Sequence, residues 1–321
     1  MLTTLPNSVR LAAALLLSCA GIAGAQDYPS KPIRFITSGV GTGVDFAARL
    51  VAQHMSTNLG RQVIVENRPS GPTLGQTVAK ATPDGYIVLF YGSTFWTMPL
   101  VQASSGYDPV KEFAPISIVT TSPNVLVIHP SLPAKSVKEL IALAKARPGE
   151  LNYASSGTGA SNHLAAELFN FMAGVNIVRI PYADGTRASA DLISGQVHMV
   201  FGNASFTIPH MKSGRLRALA VTSAQPSALL PGLPSIAASG VLGYESGSMF
   251  VIFAPAKTPA AVINRLNQET VRVVKQADVR DVLFNTGVEA VGSSPEELAA
   301  TMKSEIARLV KVVKQAGIRV D

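Results

Sequence analysis

Short apolar runs alternate with longer amphipathic segments along most of the chain. The run at 33–37 precedes an amphipathic stretch at 44–58, and the same order recurs at 151–154 and 162–173. Short apolar runs favour strands, whereas an apolar residue at every third or fourth position favours a helix. Strands that alternate with helices are typical of an α/β fold with mostly parallel sheets. The pattern predicts strands at 33–37, 63–66, 87–91, 116–119, 125–128, 151–154, 177–180, 197–201, 216–222 and 249–254, and helices at 44–58, 74–81, 137–147, 162–173, 187–194, 206–213, 259–276, 279–286 and 295–316.

Two extended stretches, at 118–124 and 219–223, are the points where we expect the chain to cross between two lobes. The length of 321 residues suits two domains, since a single domain commonly holds ~100–200 residues. We therefore predict a discontinuous first lobe, formed by residues 26–121 and 222–321, and a second lobe formed by residues 122–221.

The N-terminal segment 1–25 has the pattern of a secretory signal. Arg10 precedes a short apolar run, and small residues ending at Ala25 resemble a cleavage site. We predict cleavage after Ala25 and export to the periplasm. The alternative is a lipoprotein signal, in which Cys19, the single cysteine of the sequence, carries a lipid anchor. Cleavage after Ala25 would leave no cysteine for a disulfide or for thiol chemistry.

Two loops of small and hydroxyl-bearing residues carry the clearest functional signal. Residues 155–161 read Ser-Ser-Gly-Thr-Gly-Ala-Ser between a predicted strand and a predicted helix, and His163 follows one turn into that helix. Residues 38–43, Ser-Gly-Val-Gly-Thr-Gly, have the same position after the strand 33–37. Unpaired N–H groups and the helix dipole favour an anion at such a helix N-terminus. Two such loops predict two halves that close on one anionic ligand.

Polar side chains also follow other predicted strands. Ser93 and Thr94 come just after one strand, and Asn203 comes just after another. Since α/β proteins bind ligands at the carboxyl ends of strands, we expect these residues to line a crevice. Asp184 begins a helix, where it either caps the helix or faces an ammonium group of the ligand. Arg187, in the same first turn, is either exposed to solvent or clamps a carboxylate.

Other chemistries lack their residue patterns. The glycines at 39–43 miss the third glycine of a dinucleotide-binding fingerprint. No Cys, His or acidic residue stands at metal-ligand spacing from His163. The sequence has no Gly-x-Ser-x-Gly nucleophile motif. We therefore expect no cofactor, no metal and no catalysis.

The basic residues are dispersed along the chain. The formal net charge is +7, yet no block of basic residues occurs, and those of the last predicted helix are spread along an amphipathic segment. This distribution is typical of a solvated face and not of a nucleic-acid-binding patch. We expect a monomer with no nucleic-acid partner.

Several motifs between residues 28 and 318 resemble the tripartite tricarboxylate transporter receptors, often called Bug proteins. The motifs are Tyr-Pro-Ser-Lys-Pro-Ile-Arg at 28–34, Val-Glu-Asn-Arg-Pro at 65–69, Pro-Asp-Gly-Tyr at 83–86, Tyr-Asp-Pro at 107–109, Asn-Tyr-Ala-Ser-Ser-Gly at 152–157, Pro-Tyr at 181–182 and Leu-Arg-Ala-Leu-Ala-Val-Thr at 216–222. The resemblance implies a type II periplasmic binding protein fold, in which two α/β lobes joined by two crossover segments surround a ligand cleft. It also implies capture of a small carboxylate, which is delivered to the membrane permease subunits of a tripartite transporter or to a sensor protein.

In this family the loops that match residues 38–42 and 155–161 hold the ligand's carboxylate through backbone groups and ordered water. The chain departs from the family pattern at these loops: Thr37 replaces a usual proline, Thr42 replaces a glycine, and Asp184 replaces a common glycine. The predicted ligand-binding residues are Ser38, Gly39, Val40, Gly41, Thr42, Ser93, Thr94, Ser155, Ser156, Gly157, Thr158, Gly159, Ser161, His163, Asp184 and Asn203.

The sequence also allows two alternative functions. Ser155 or Ser156 would pair with His163 in an exported serine hydrolase. A receptor-like sensory module that binds no small ligand tightly is the other alternative. The residue patterns favour the solute receptor over both.

Overall fold

The strands of the computed structural model lie in two sheets. The structure describes residues 28–182 and 185–318, so the predicted signal 1–25, Cys19 and Asp184 lie outside the described residues. The strands are β1 (Ile33–Thr37), β2 (Val63–Asn67), β3 (Ile87–Gly92), β4 (Phe113–Ser122), β5 (Asn124–Ile128), β6 (Asn152–Ser155), β7 (Val178–Pro181), β8 (Met199–Asn203), β9 (Arg217–Val221), β10 (Ser248–Pro255) and β11 (Glu289–Ala290). The helices are α1 (Gly43–Leu59), α2 (Pro72–Ala79), α3 (Thr94–Val101), α4 (Val137–Ala146), α5 (Ser161–Ala173), α6 (Gly185–Ile193), α7 (Ala204–Lys212), α8 (Ala260–Val274), α9 (Ala277–Asn285) and α10 (Pro295–Gln315), with a 3-10 helix at Ala103–Ser105.

Both sheets are mixed, and the prediction of mostly parallel sheets was wrong. The six-stranded sheet has the order β11-β4-β10-β3-β1-β2, and the five-stranded sheet has the order β7-β6-β8-β5-β9. Strands linked through helices pair in parallel, namely β1 with β2 and β3, and β6 with β7 and β8. The strands that carry the chain between the sheets, β4, β5, β9 and β10, pair antiparallel with their neighbours. They have no crossover helix from a sheet neighbour, so nothing imposes a parallel direction on them.

The chain passes twice between the two sheets. Only Pro123 separates the end of β4 from the start of β5, and the second passage lies between the end of β9 at Val221 and the start of β10 at Ser248. The Thr222 hydroxyl ties these passages together, since it accepts from the Asn124 N–H at 2.8 Å and donates to the Asn124 carbonyl at 2.9 Å. The lobe bounds 26–121, 222–321 and 122–221 stay a prediction.

The C-terminal helix α10 contacts the cores of both sheets. Ser294 and Glu297 form a capping box at its start. Further along, Val312 joins the core of the five-stranded sheet. A small apolar cluster places Leu309 of this helix against Val101 of α3 and Leu164 of α5. This helix therefore links the two halves of the molecule through apolar burial.

Helix α3 was not predicted. Its sequence, Thr-Phe-Trp-Thr-Met-Pro-Leu-Val, is apolar on almost every side and contains Pro99, so it shows no helical periodicity. Phe95 and Trp96 are buried, and the Phe95 ring stacks on Tyr107 at 5.2 Å. Burial on most sides replaces the amphipathic pattern that would have marked this helix.

Candidate functional site

A cavity of about 620 Å³ opens at the carboxyl ends of β6 and β8. Three helices begin at its wall. The lining includes Ser161 of α5, Thr186 of α6 and Phe206 of α7, together with Asn203 at the end of β8. This is the end of a parallel strand pair at which α/β folds place ligands, so the topology puts several helix N-termini around one space.

Helix α5 begins without a side-chain cap. Ala160 occupies its N-cap position and supplies no side-chain acceptor. By contrast, Asn203 caps α7, since its Oδ1 accepts from the Phe206 N–H at 2.8 Å. The first N–H groups of a helix have no partner within the helix. At α5 they therefore stay available to an anion in the cavity.

Asn124 supplies a second polar group without a partner. It lines the cavity, pairs with Asn203 across β5 and β8, and is only 4% exposed. Its Nδ2 has no hydrogen-bond partner among the residues that the structure describes. Buried polar groups are nearly always hydrogen-bonded, so Asn124 has an unused amide donor beside the cavity.

The Ser/Gly loop that precedes α5 is held from behind by Arg179. This side chain donates from Nε to the Ser155 Oγ at 2.7 Å, from Nη1 to the Thr158 Oγ1 at 3.2 Å and from Nη2 to the Ser156 carbonyl at 2.9 Å. Gly159 bends the loop with φ +80, and a Cβ there would also lie 2.9 Å from Val101. Only glycine fits both conditions.

His163 is buried at 3% exposure on α5, and its Nδ1 accepts from the Gly159 N–H at 3.1 Å. Burial, with the charge of Arg179 added to it, lowers the His163 pKa to about 4. The imidazole is therefore neutral near pH 7 and supports the loop.

We expect His163 to stay neutral over the whole range from pH 8 to about 5, with a midpoint at about 4 in an NMR titration. The free side chain titrates at about 6.5, so the folded state binds fewer protons between these values. The stability that neutral His163 contributes is complete above pH ~6.5 and is lost as the pH falls toward about 4. His163→Gln should weaken this acid sensitivity in urea unfolding at pH 7 and pH 4.5. An imidazole midpoint at the ordinary value would contradict the assignment.

The two candidate nucleophiles do not pair with His163 among the hydrogen bonds of the described residues. Ser155 is 2% exposed, and its Oγ donates to the Ser156 carbonyl at 3.2 Å. The Ser156 Oγ donates to Asn162 Oδ1 at 2.9 Å. A hydrolase needs a hydrogen bond between its serine and its histidine base, and this geometry provides none.

The first predicted ligand loop, 38–42, is held by hydrogen bonds within itself and to Asp45 and Asn67. Thr42 caps α1 by accepting from the Asp45 N–H at 3.3 Å, and Asp45 Oδ2 accepts from the Gly41 N–H at 2.9 Å. Asn67 donates to the Ser38 carbonyl at 2.6 Å. Burial alone would raise the Asp45 pKa, but hydrogen bonds from Asn67 and Gly41 and the charge of Arg49 lower it overall. The ionised Asp45 therefore holds this loop in shape.

The structure distributes the predicted site residues over three places. The residues at the cavity are Ser156, Ser161 and Asn203. The residues behind it, around Arg179 and the loop, are Ser155, Thr158, Gly159 and His163, while Gly157 is exposed on that loop. The residues of the six-stranded sheet, which do not line this cavity, are Ser38, Gly39, Val40, Gly41, Thr42, Ser93 and Thr94. Asp184 lies outside the described residues, and Arg187 is exposed.

The sequence reasoning missed much of the cavity wall. The missed lining residues include Asn124, Asn162, Thr186, Ser189, Phe206 and His210. The small and hydroxyl residues in the first turns of α6 were a usable signal, because they repeat the character of the Ser/Gly loop. Asn124 and Arg179 gave no local signal, since strand pairing alone brings them to the site.

One wall of the cavity is apolar. Its side chains include Ala188, Leu192, Val200 and Phe206. No Asp, Glu, Lys or Arg belongs to the lining within the described part of the chain, and His210, whose ring lies 4.9 Å from that of Phe206, is its ionisable member. Uncapped N–H groups at one end and apolar side chains along the wall suit an anionic group attached to an apolar body.

Comparisons with known proteins give one consistent result. A family model described as the tripartite tricarboxylate transporter family receptor matches residues 47–318. Protein BugT of Bordetella pertussis is 32% identical, with 98% of this chain and 99% of BugT covered. The UPF0065 protein of Bordetella bronchiseptica is 34% identical, with 98% of this chain and 94% of the relative covered.

Two solved structures are also similar to this chain over most of its length. R. palustris Rpa4515, solved with adipate, has a TM-score of 0.73 at 35% identity, covering 91% of this chain and 99% of its own. A TctC solute-binding protein from Polaromonas has a TM-score of 0.81 at 25% identity, covering 90% and 99%. The predicted family resemblance and the periplasmic-binding-protein fold class are confirmed.

Proposed function

Since the chain belongs to the tripartite tricarboxylate transporter receptor family, we propose that it is an extracytoplasmic receptor that captures a small carboxylate with an apolar body. One observation carries the proposal. The uncapped N-terminus of α5 and the unpartnered amide of Asn124 belong to the same cavity. Backbone N–H groups at a helix start favour a carboxylate, and a buried amide donor adds a hydrogen bond to it.

We propose that the six-stranded half completes the site when the lobes close. Val40 in the middle of the loop 38–42 is 76% exposed, and Asp45 holds the next residue by accepting from the Gly41 N–H. A preorganised loop loses little entropy on binding. In this proposal Ser93 and Thr94 lie on the closing side, whereas Ser155, Thr158 and His163 support the loop behind the ligand.

The family also supports the proposed cellular role. The captured carboxylate would pass to the permease subunits of a tripartite transporter or to a sensor, with the receptor acting in the periplasm after cleavage of the segment 1–25. Within the described residues, no helix has both the length and the apolar character needed to cross a membrane. The receptor type of the family and the missing serine–histidine hydrogen bond argue for binding without catalysis.

A thermal-shift screen of residues 26–321 tests the proposal. Adipate is the first probe, because it is the molecule with which the R. palustris relative was solved. Ligand at ~100 times its dissociation constant should stabilise the protein by ~2.7 kcal/mol, which corresponds to roughly 5–10 °C. The neutral diamide of adipate is the matched control and should give no shift. If mono-, di- and tricarboxylates, aromatic acids and amino acids all leave the unfolding temperature of the folded protein unchanged, the solute-receptor proposal is wrong. That result would favour the alternative of a sensory module that binds no small ligand tightly.

A further inference from the structure

Arg179 donates three hydrogen bonds to one loop, and it forms no ion pair within the described residues. It stands on β7, the edge strand of the five-stranded sheet, and pairs with Tyr153 of β6. Side chains two residues apart on a strand share a face, so Arg179 lies on the same side of the sheet as Ser155. From there its guanidinium reaches Ser155, Ser156 and Thr158 with three different nitrogens.

Each of these bonds ends on a neutral oxygen. Two acceptors are hydroxyls and one is a backbone carbonyl, and no ion pair of Arg179 occurs in the part of the chain that the structure describes. The nearby carboxylate of Glu167 accepts instead from the Tyr153 hydroxyl. Within the described residues the positive charge therefore has no carboxylate partner, and it stands behind the loop from which Ser156 lines the cavity.

The other face of the loop has the opposite arrangement. Ser156 lines the cavity, and α5 begins there without a cap. A loop of small residues has little packing of its own to hold it, because glycine and serine side chains bury almost no apolar area. The three guanidinium bonds act together with the Gly159–His163 bond and with a bond from the Tyr182 N–H to the Ser155 carbonyl at 2.9 Å to hold the loop from behind.

We propose that Arg179 is the positioning residue of the loop 155–160, which it holds so that the free N–H groups of the loop and of α5 face a carboxylate in the cavity. This inference rests on the proposed function for its ligand, but not for the contacts. Arginine suits the task, because its planar fork directs several donors at fixed angles, whereas lysine offers only a point charge. The charge of Arg179 also adds to the attraction of an anion.

Two substitutions separate the fork from the charge. Arg179→Lys keeps the charge and loses the fork, and Arg179→Met loses both. Arg147→Met is the matched control, since Arg147 is an exposed residue at the end of α4 in the same half of the chain. Far-UV circular dichroism and thermal unfolding establish that each variant is folded.

The first measurement needs no ligand. In the apo protein, both Arg179 variants should speed amide hydrogen exchange about tenfold or more at Gly159 and Ala160, whose N–H groups bond to His163 Nδ1 and to the Gly157 carbonyl, because these bonds open more often once Arg179 no longer holds the loop. Arg147→Met should leave this exchange unchanged. NMR titration of His163 adds a signature of the charge: its midpoint should rise in Arg179→Met and stay low in Arg179→Lys, because Arg179 is the nearby cation that opposes its protonation.

The second measurement is the dissociation constant of adipate. Both Arg179 variants should bind it about tenfold more weakly than wild type or more, while Arg147→Met binds as wild type. Unchanged loop exchange in both variants would overturn the inference, as would full rescue of exchange and affinity by lysine. If wild type binds no carboxylate while the variants still loosen the loop, the proposed function fails and the positioning role of Arg179 stands.

Discussion

Replacing Ser161 by proline should weaken adipate binding by about 10- to 100-fold without unfolding the protein. Ser161 is the first residue of α5 and lines the cavity. Proline there removes one backbone N–H, and a hydrogen bond from such a group to a charged acceptor is worth ~1.5–3 kcal/mol. Proline is favoured at a first helical position, and the φ of −64 and ψ of 156 at Ala160 are values that a residue before proline adopts readily.

Two matched variants isolate the lost N–H group. Ser161→Ala removes the hydroxyl but keeps the N–H, so its affinity for adipate should stay within a few-fold of wild type. Ala277→Pro places proline at the first position of α9, where Gln276 has φ −65 and ψ 138, far in sequence from the cavity residues. It should change neither affinity nor folding. Equal Kd values for Ser161→Pro and wild type, measured by calorimetry, would remove the α5 N-terminus from the ligand site.

Glu305→Gln should stabilise the protein at pH 8 by about 3 kcal/mol and have little effect at pH 4.5. Glu305 of α10 is 7% exposed, and its Oε2 accepts from Trp96 Nε1 at 2.9 Å. Burial, together with the nearby charge of Glu245, raises its pKa to about 7, although Trp96 and Arg308 act in the opposite direction. At pH 8 the folded protein must hold a buried carboxylate, whereas glutamine stays neutral.

The sign follows from proton linkage. The folded pKa exceeds the ordinary value of 4.5, so the folded state binds more protons than the unfolded state between the two. Stability from this group is complete below pH ~4.5 and is lost as the pH rises through about 7. Each unit of pKa shift corresponds to about 1.4 kcal/mol, which gives the size of the effect.

Urea unfolding, followed by the fluorescence of the single tryptophan of the sequence, Trp96, measures the difference directly. Wild type and Glu305→Gln are compared from pH 4.5 to pH 8. Glu150→Gln, at an exposed carboxyl, should run parallel to wild type across this range. If Glu305→Gln also runs parallel, the carboxyl does not carry the proposed proton uptake, and its burial does not control the stability of the α3–α10 contact.

Local signals in the sequence predicted helices α5 and α10 but not helix α3. Helix α10 has its capping box at Ser294 and Glu297, and helix α5 follows the Ser/Gly loop with a clear apolar period. Both patterns are set within a few residues by hydrogen bonding and by one-sided burial. Helix α3 has neither pattern, because it is buried on most sides, and it was missed.

The residues of the candidate site also fall into those that a local signal predicted and those that it did not. Ser156, Ser161 and Asn203 were predicted because strand–loop–helix order alone puts them at the end of a sheet. Asn124 and Arg179 were not, because each reaches the site through pairing with a strand distant in sequence. The loop 38–42 looked equivalent to 155–161 by composition, yet Thr42 caps α1 and Asp45 and Asn67 bond to the loop, whereas α5 has no side-chain cap.

The sequence by itself determined the alternation of strands and helices, the family and the small-residue loops, since these depend on residue type and short-range spacing. The tertiary structure alone decided which strands run antiparallel, which polar groups remain without partners, and which charge stands behind the ligand loop. These outcomes depend on pairing between segments far apart in the chain. No local pattern of residues encodes that pairing, because burial and hydrogen-bond satisfaction are properties of the assembled fold.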